Sequence, residues 1–131
     1  MINQKYDLMD SIILKEFVCC GYDCSIVRYC NHFCGYVEVP KNHALYGKNW
    51  NDDIINDINV HGGITYSRLS DNDTWRFGWD SAHVGDFCIF EENDLKKYLK
   101  MFIRGYDDKL WFIERAMFET INLARQLKKL E

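Results

Sequence analysis

The sequence predicts an α+β fold: a small curved antiparallel sheet with an N-terminal helix and two C-terminal helices packed on one of its faces. Short β-rich segments, separated by glycine and asparagine turns, occupy the middle of the chain. Apolar residues recur at helical intervals near the N-terminus and again over the last third. With 131 residues, a single proline and no repeat or low-complexity run, the chain is expected to form one domain over residues 1–131.

The first predicted element is a short amphipathic helix that ends before Gly21. Its apolar residues have helical spacing, at Tyr6, Met9, Ile12, Ile13 and Phe17. The next segment predicts a β-hairpin, in which strands 25–29 and 35–39 flank a turn at Asn31-His32. Both strands are rich in the β-branched and aromatic residues that suit a pleated surface.

The middle of the chain predicts a long loop followed by two more strands. Residues 41–59 are polar and irregular, with one helical turn expected around 52–55, and loops of this length in compact domains are often functional. A third strand is expected over 64–67 and a fourth over 75–79, with a turn at 71–73 between them.

Two helices are predicted after the last strand. The first runs from about residue 93 to 102 and ends at Gly105. The second carries apolar residues at helical intervals from Leu110 to Leu127. Asp107 and Asp108 are expected to cap its N-terminus, where free amides and the helix dipole favour a carboxylate.

Composition and charge exclude several classes of function. Hydrophobic residues make up 47% and aromatic residues 15% of the chain, enough for a packed core with aromatic rings left for a pocket or an interface. The net charge of −4 argues against a broad nucleic-acid-binding surface, which is normally basic. No apolar run approaches the roughly 18 residues of a membrane span, and no signal peptide is visible. We therefore expect a cytoplasmic protein with no membrane partner, and homo-oligomerisation stays open.

The six cysteines raise the question of a metal site. Three residues separate Cys20 from Cys24 and Cys30 from Cys34, whereas structural zinc ligands usually come in tighter pairs. These four residues are candidate zinc ligands. The sequence nevertheless favours ordinary buried thiols and no cofactor, because free cysteine behaves as a small apolar residue.

The polar chemistry of the chain is concentrated in two segments between residues 61 and 86. The first places a histidine, paired glycines and two hydroxyl groups close together, in His61, Gly62, Gly63, Thr65 and Tyr66. The second combines an indole, two carboxylates and a histidine, in Trp79, Asp80, His83 and Asp86. Paired glycines permit sharp turns and let a ligand approach the backbone amides.

Three functional interpretations compete for these residues. In an acid–base site, His61 and His83 exchange protons while Asp80 or Asp86 orients a ring. In a metal site, both aspartates and His83 are ligands, with His61 as a fourth. In a binding pocket, the same groups hydrogen-bond a polar ligand on which an aromatic ring stacks. A purely structural interpretation has the aspartates and glycines forming turns.

Further candidate ligand-binding residues lie outside these two segments. His43 and Tyr46, in the long loop, are expected at the rim of the site or in a lid over it. Lys48 and Arg76 are candidates for neutralising a phosphate. The chain has no phosphate-binding loop, dinucleotide fingerprint or serine-hydrolase elbow, so the sequence leaves open whether the protein is an enzyme.

Three motifs together resemble a family of small bacteriophage proteins. They are Cys34-Gly-Tyr-Val37, His61-Gly-Gly-Ile-Thr-Tyr66 and Gly78-Trp-Asp-Ser-Ala-His-Val-Gly-Asp86. The resemblance covers roughly residues 34–86 and the general character of the last helix. It departs at Trp79 and Ser81, where that family is expected to carry Phe and Cys, and in the additional cysteine-rich segment. The resemblance implies a phage origin and the positions of the site, and it implies no particular reaction.

The leading functional expectation is therefore a phage-type protein that binds a small polar molecule, such as a nucleotide immune signal, and sequesters it from host defence. The dense His, Asp and Gly cluster and the absence of a recognised catalytic motif support it. One alternative is a hydrolase that acts on a nucleotide-like substrate through His61, His83, Asp80 and Asp86. Another is a factor that docks on a host protein through its aromatic surface.

Overall fold

The structure is a computed structural model, and it describes residues 11–106 and 109–131. Five strands form one antiparallel sheet in the spatial order β1-β2-β3-β5-β4: β1 (Ser11–Cys19), β2 (Tyr22–Tyr29), β3 (His32–Val39), β4 (Tyr66–Leu69) and β5 (Trp75–Asp80). Two short strands, β6 (Phe87–Cys88) and β7 (Leu110–Trp111), pair in parallel. The helices are α1 (Asp53–Asn56), α2 (Glu92–Ile103) and α3 (Ile113–Lys129). The sheet dominates the described part of the chain and is open, with β1 and β4 at its edges.

The predicted arrangement of an N-terminal helix and two C-terminal helices is wrong. Residues 11–19 form the edge strand β1, antiparallel to β2, and the helices of the described residues lie in the middle and the C-terminal part of the chain. Tyr6 and Met9, which the helix prediction included, lie outside the described residues.

A bulge in β1 explains the error. The register between β1 and β2 shifts between Ile13 and Lys15, which leaves Leu14 as an extra residue in the strand. Ile13 then packs on one face of the sheet while Leu14 and Phe17 pack on the other. An alternation interrupted in this way produces apolar residues three and four positions apart, which is the spacing that predicts a helix.

Other predicted elements agree with the structure. The hairpin is confirmed as β2 and β3, and the helical turn around 52–55 is found as α1. The third strand begins two residues later than expected, at Tyr66. Helix α3 begins at Ile113 with no side-chain cap, and the aspartates predicted to cap it lie outside the described residues. Along these residues no helix is both long enough and apolar enough to cross a membrane.

Helix α3 packs across β1, β2 and β3 and closes the main core. Its buried face consists of Ala116, Thr120, Leu123, Ala124 and Leu127. The helix approaches the sheet over Gly35, where an added Cβ would lie 2.2 Å from Thr120 Oγ1. The Trp79 indole donates a hydrogen bond to the same hydroxyl at 3.0 Å. The core therefore fixes α3 relative to the end of β5, from which the candidate site residues follow.

Candidate metal centre

Two glycine-containing turns bring the predicted site residues together. In the turn over residues 60–63, the Gly63 N–H donates to the Val60 carbonyl at 2.9 Å, and Gly62 adopts a φ of +69°. In the turn over residues 83–86, the Asp86 N–H donates to the His83 carbonyl at 3.0 Å, and Gly85 adopts a φ of +92°. Both conformations are readily adopted only by glycine. The turns face each other, so the sequence places a histidine on each side of one carboxylate.

His61, His83 and Asp86 form the centre of the site. His61 Nε2 lies 2.7 Å from Asp86 Oδ2, and His83 Nδ1 lies 3.4 Å from the same oxygen. The two imidazole rings meet edge to face with their centroids 5.1 Å apart. One ligand atom from each of the three side chains lies within 4.8 Å of the others. This cluster, His61, His83 and Asp86, is called the triad below.

Surrounding groups hold the triad in place. The Trp111 indole donates to Asp86 Oδ1 at 3.2 Å, and its ring packs on His61 at 4.6 Å between centroids. The His61 backbone N–H donates to the Glu119 carboxylate on α3 at 2.7 Å. Each of these contacts joins a turn to β7 or α3, so the triad rests on the packed part of the fold.

A second carboxylate, Asp80, lies behind His83. Asp80 Oδ1 is 3.9 Å from His83 Nε2, on the side of the ring opposite to the triad. The Thr65 hydroxyl donates to Asp80 Oδ2 at 2.7 Å, and the Ala82 N–H donates to Oδ1 at 3.0 Å. The orientation of Asp80 is therefore fixed by two hydrogen bonds at the end of β5.

The triad is half-open to solvent. Its carboxylate is the buried member, with 7% of the Asp86 side chain exposed against 29% for His61 and 38% for His83. Burial by itself raises the pKa of the Asp86 carboxyl. The hydrogen bond and charge of His61, with the indole of Trp111, outweigh burial, so the pKa of Asp86 lies below its usual range. Asp86 is therefore anionic at neutral pH, with two imidazoles facing it.

Glycine at position 62 makes room for His83. A Cβ on this residue would lie 2.2 Å from His83 Cε1 and 2.3 Å from His83 Nε2. No such contact exists at Gly63, where nothing lies within 4 Å of an added Cβ. The paired glycines therefore have different roles, since only the first touches a member of the triad.

The donor set fits a divalent metal ion. His83 Nδ1 is shielded from solvent and makes no hydrogen bond among the described residues, although it points toward Asp86. A buried ring nitrogen without a partner is costly unless it accepts a hydrogen bond or binds a metal. Two imidazoles and one carboxylate are a ligand set typical of zinc and of iron(II) sites.

The outer contacts resemble those that support metal ligands elsewhere. A ligating histidine usually presents its other ring nitrogen to a carboxylate, and ligating carboxylates usually accept a further hydrogen bond. Asp80 faces the other ring nitrogen of His83 at 3.9 Å, a distance longer than a hydrogen bond, and the Trp111 indole donates a hydrogen bond to Asp86.

Several residues predicted for the site lie elsewhere. His43 is buried in the core, where its Nδ1 accepts from the Leu45 N–H at 3.0 Å and its Nε2 donates to the Leu127 carbonyl at 2.7 Å. Arg76 is buried against Glu38 with a separation of 3.2 Å. The expected roles of His43 in a lid and of Arg76 at a phosphate therefore do not fit the structure.

Three aromatic residues from the predictions are also structural. The Tyr46 hydroxyl donates to the Asp73 carbonyl at 3.3 Å, away from the triad. Tyr66 packs edge-on against Tyr36 at 5.1 Å. Trp79 is fully buried and stacks behind Trp111 at 5.1 Å, so it supports the site without being exposed to a ligand.

The four cysteines considered as zinc ligands do not converge on one point. Cys20 and Cys30 lie in the turns at opposite ends of β2, and Cys24 and Cys34 belong to core clusters on opposite faces of the sheet. Burial raises the pKa of Cys24 and of Cys34 to about 12. Cys24 and Cys34 are therefore buried core groups, whereas Cys20 is partly exposed and Cys30 is exposed, so the expectation of four buried thiols holds for two of them.

Sequence reasoning missed two residues that contact the triad. Trp111 lies in an apolar segment that reads as the start of a helix, and Glu119 looks like an ordinary polar residue of an amphipathic helix. Neither has a local signal, because both reach the triad only through the packing of β7 and α3 against the turns.

His32 also lies near the site. Burial lowers the pKa of His32, while the charge of Asp80 raises it and that of His83 lowers it.

A separate cavity of about 540 Å³ lies between the long loop and the end of α3. Its walls include apolar side chains and two lysines, at Leu45, Lys48, Ile54, Ile58, Lys129 and Leu130. No member of the triad lines it.

Comparison of the chain with known protein families, with curated proteins and with solved structures gives no match.

Proposed function

We propose that this protein is a metal-dependent hydrolase whose ion is held by His61, His83 and Asp86. The observation that supports it most is that one donor atom from each of three side chains lies within 4.8 Å of the others, while His83 Nδ1 is buried and has no hydrogen-bond partner among the described residues. Without an ion, His61 and Asp86 satisfy each other at 2.7 Å, whereas His83 Nδ1 lies 3.4 Å from Asp86 and makes no hydrogen bond among the described residues. A bound ion would give this nitrogen a partner.

The number of ligands favours catalysis over a structural role. Structural zinc sites are closed by four protein ligands, whereas catalytic sites use three and keep a position for water or substrate. The triad offers three, and both of its histidines are partly exposed. A divalent ion held by His61, His83 and Asp86 would supply Lewis-acid chemistry and would lower the pKa of a water at the open position.

The residues of the chain have distinct tasks in this proposal. Asp86 supplies the negative charge that draws in a cation, and its lowered pKa keeps it ionised at neutral pH. Asp80 orients His83 from the other side of the ring, and Thr65 fixes Asp80. A metal-free acid–base site made of the same residues is less well supported, because it gives His83 Nδ1 no partner.

Metal binding is tested by titrating the full chain with Zn²⁺ in a calorimeter and with Co²⁺ while recording its visible absorption. We expect one ion per chain, with binding lost in His83→Ala and in Asp86→Asn. The matched control is His32→Gln, which removes a histidine near the site that is not in the triad. Binding that survives both triad substitutions, or that is lost in the control, would contradict the metal centre.

Catalysis is tested separately with the zinc-loaded protein on a phosphate monoester, a phosphate diester and a carboxylic ester: p-nitrophenyl phosphate, bis(p-nitrophenyl) phosphate and p-nitrophenyl acetate. We expect hydrolysis of one of these classes, and we expect His83→Ala to abolish it. A protein that binds the ion and hydrolyses none of the three would keep its metal centre and lose the hydrolase assignment.

A second candidate function is sequestration of a small anionic molecule, such as the nucleotide signal expected from the phage resemblance. The cavity beside α3 favours it, since about 540 Å³ lies within the usual range of small-molecule sites and its lining carries two lysines, Lys48 and Lys129, against one carboxylate, Asp57. Calorimetry with cyclic nucleotides and ADP-ribose tests it. Binding that Lys129→Ala weakens, with intact ligand recovered after heat denaturation, is the expected result, and absence of binding contradicts it.

A further inference from the structure

Two cysteines occupy the tip of the hairpin between β1 and β2. Cys19 ends β1, Cys20 and Gly21 form the turn, and Tyr22 begins β2 opposite Cys19. The two turn residues have φ values of +57° and +81°. Two-residue hairpin turns of this kind favour asparagine, aspartate or glycine at both positions, so a cysteine at the first is unusual.

The conformation of this turn brings two thiols together. The Sγ atoms of Cys19 and Cys20 lie 3.8 Å apart, and both residues are partly exposed. A tetrahedral zinc ion with metal–sulfur bonds of about 2.3 Å holds its sulfurs roughly 3.8 Å apart. The two thiols therefore already have the separation of a bidentate thiolate chelate.

The cysteine at the next hairpin shows that the turn alone does not create this arrangement. Cys30 has almost the same left-handed conformation, with a φ of +55°, between β2 and β3. Its neighbours are Tyr29 and Asn31, so no adjacent residue supplies a second thiol. The pair at the first hairpin results from the two adjacent cysteines together with the turn.

We propose that Cys19 and Cys20 form a vicinal dithiol site that chelates a thiophilic centre. Trivalent arsenic that carries one organic group is the chemical class it fits, because such a centre needs two sulfur ligands, whereas structural zinc needs four ligands. An organoarsenic oxide, R–As=O, reacts with two thiols to form two As–S bonds. Both S–H bonds break, and the two protons leave with the oxygen as one molecule of water. No electron is transferred, so no oxidant or reductant is required.

The surroundings of the pair hold one of its thiols protonated. Burial, followed by the hydrogen bond with Cys20, raises the pKa of Cys19, so a bound centre must displace the proton of this thiol. The nearby Cys24 does not compete, because its buried Sγ donates to the Tyr22 carbonyl.

This site differs from the triad in position and in chemistry. It lies at the tip of an edge hairpin, whereas the triad lies on the turns that precede β4 and follow β5. It offers two sulfur atoms, whereas the triad offers nitrogen and oxygen. An arsenical probe reports on thiols and leaves the triad aside, so this test and the test of the proposed function have separate outcomes.

The experiment is reaction of the full reduced chain with phenylarsine oxide, read by intact mass spectrometry. We expect one adduct that has lost one water. The adduct should be absent in Cys20→Gly, which keeps the left-handed turn without strain, and in Cys19→Ser. The matched control, Cys30→Ser, should keep it.

Two results would overturn the proposal. One is an adduct that persists in Cys20→Gly, which would place the arsenic on other thiols. The other is a wild-type chain that forms no adduct while a short dithiol in a parallel reaction without the protein forms one. Circular dichroism of each variant confirms that loss of the adduct does not reflect loss of the fold.

Discussion

Replacing Gly62 by alanine separates the proposed role of this residue at His83 from its role in the turn. The added Cβ would lie 2.2 Å from His83 Cε1, a distance that carbon atoms do not adopt, so the ring must move. The residue also has a φ of +69°, which costs an alanine about 1–2 kcal/mol. The unfavourable φ reduces the stability of the fold, whereas the clash of the added Cβ with His83 acts on the triad.

Gly63→Ala provides the control for backbone strain. Gly63 has a φ of +79°, so alanine meets the same penalty of about 1–2 kcal/mol, but nothing lies within 4 Å of its Cβ. Both variants should lose a similar amount of unfolding free energy in urea. Only Gly62→Ala should also weaken Zn²⁺ binding, because it displaces a ligand.

The expected loss of affinity follows from the known sensitivity of metal sites. Mutating groups that merely orient a ligand lowers metal affinity about 10–100-fold. Displacing His83 itself should lower the affinity at least 10-fold, which corresponds to a loss of about 1.4 kcal/mol of binding free energy. Calorimetric titration of the two variants measures the difference. Equal affinity in both variants would refute the role assigned to Gly62, whether the common value is high or low.

Four further predictions concern Trp111, two other histidines and the cysteines. Trp111→Phe removes the indole donor to Asp86 and should lower Zn²⁺ affinity about 10-fold in calorimetry, with the fold intact. His43→Ala leaves the buried Leu45 N–H unpaired and removes one of the two hydrogen bonds to the Leu127 carbonyl, so it should lower the unfolding free energy in urea by about 1–3 kcal/mol and leave Zn²⁺ affinity unchanged. Burial lowers the pKa of His32 in the folded chain, so the unfolded chain binds more protons as the pH falls. The contribution of His32 to the free energy of unfolding is therefore full above about pH 6.5 and decreases below it. Urea unfolding at a series of pH values should show this decrease in the wild type and not in His32→Gln. Native alkylation at pH 8 should modify the exposed Cys30 long before Cys34, whose buried thiol has a pKa of about 12, and equal rates by peptide mass spectrometry would contradict its burial.

Local sequence signals located the two turns of the site but not the contacts that join them. The paired glycines beside His61, and the glycine between His83 and Asp86, are residues that the known preferences of turns identify. That these turns face each other depends on β5 and α3, which no local pattern specifies. His43 shows the reverse case, since its polar side chain looked functional and its hydrogen bonds are those of a core residue.

The error at the N-terminus has a similar cause. One bulge at Leu14 converted an alternating pattern into helical spacing, and the partner that stabilises the strand is a neighbouring segment. The missed contribution of Trp111 arises in the same way. Contacts with segments distant along the chain or in a neighbouring strand determine both the strand β1 and the position of Trp111, so local sequence patterns do not predict either of them.

The loop that carries His61 is attached to α3 at several points, which links the geometry of the triad to the stability of the fold. The Asn59 N–H donates to Gln126 and the Asn59 carbonyl accepts from Gln126 and Asn122, each at 2.9 Å. Two residues further on, the His61 N–H donates to Glu119. The donors of the triad come together only when α3 is packed on the sheet, so the unfolded chain has no comparable site.

An ion that binds only the folded chain must then stabilise it. At a Zn²⁺ concentration one hundred times the dissociation constant, the gain in unfolding free energy is about 2.7 kcal/mol. Thermal unfolding with and without Zn²⁺ should show this gain in the wild type and in His32→Gln. His83→Ala should show little of it, because one of the three ligands is missing. A gain of the same size in His83→Ala would mean that the ion binds the folded chain elsewhere, and the triad would have to be assigned a structural role.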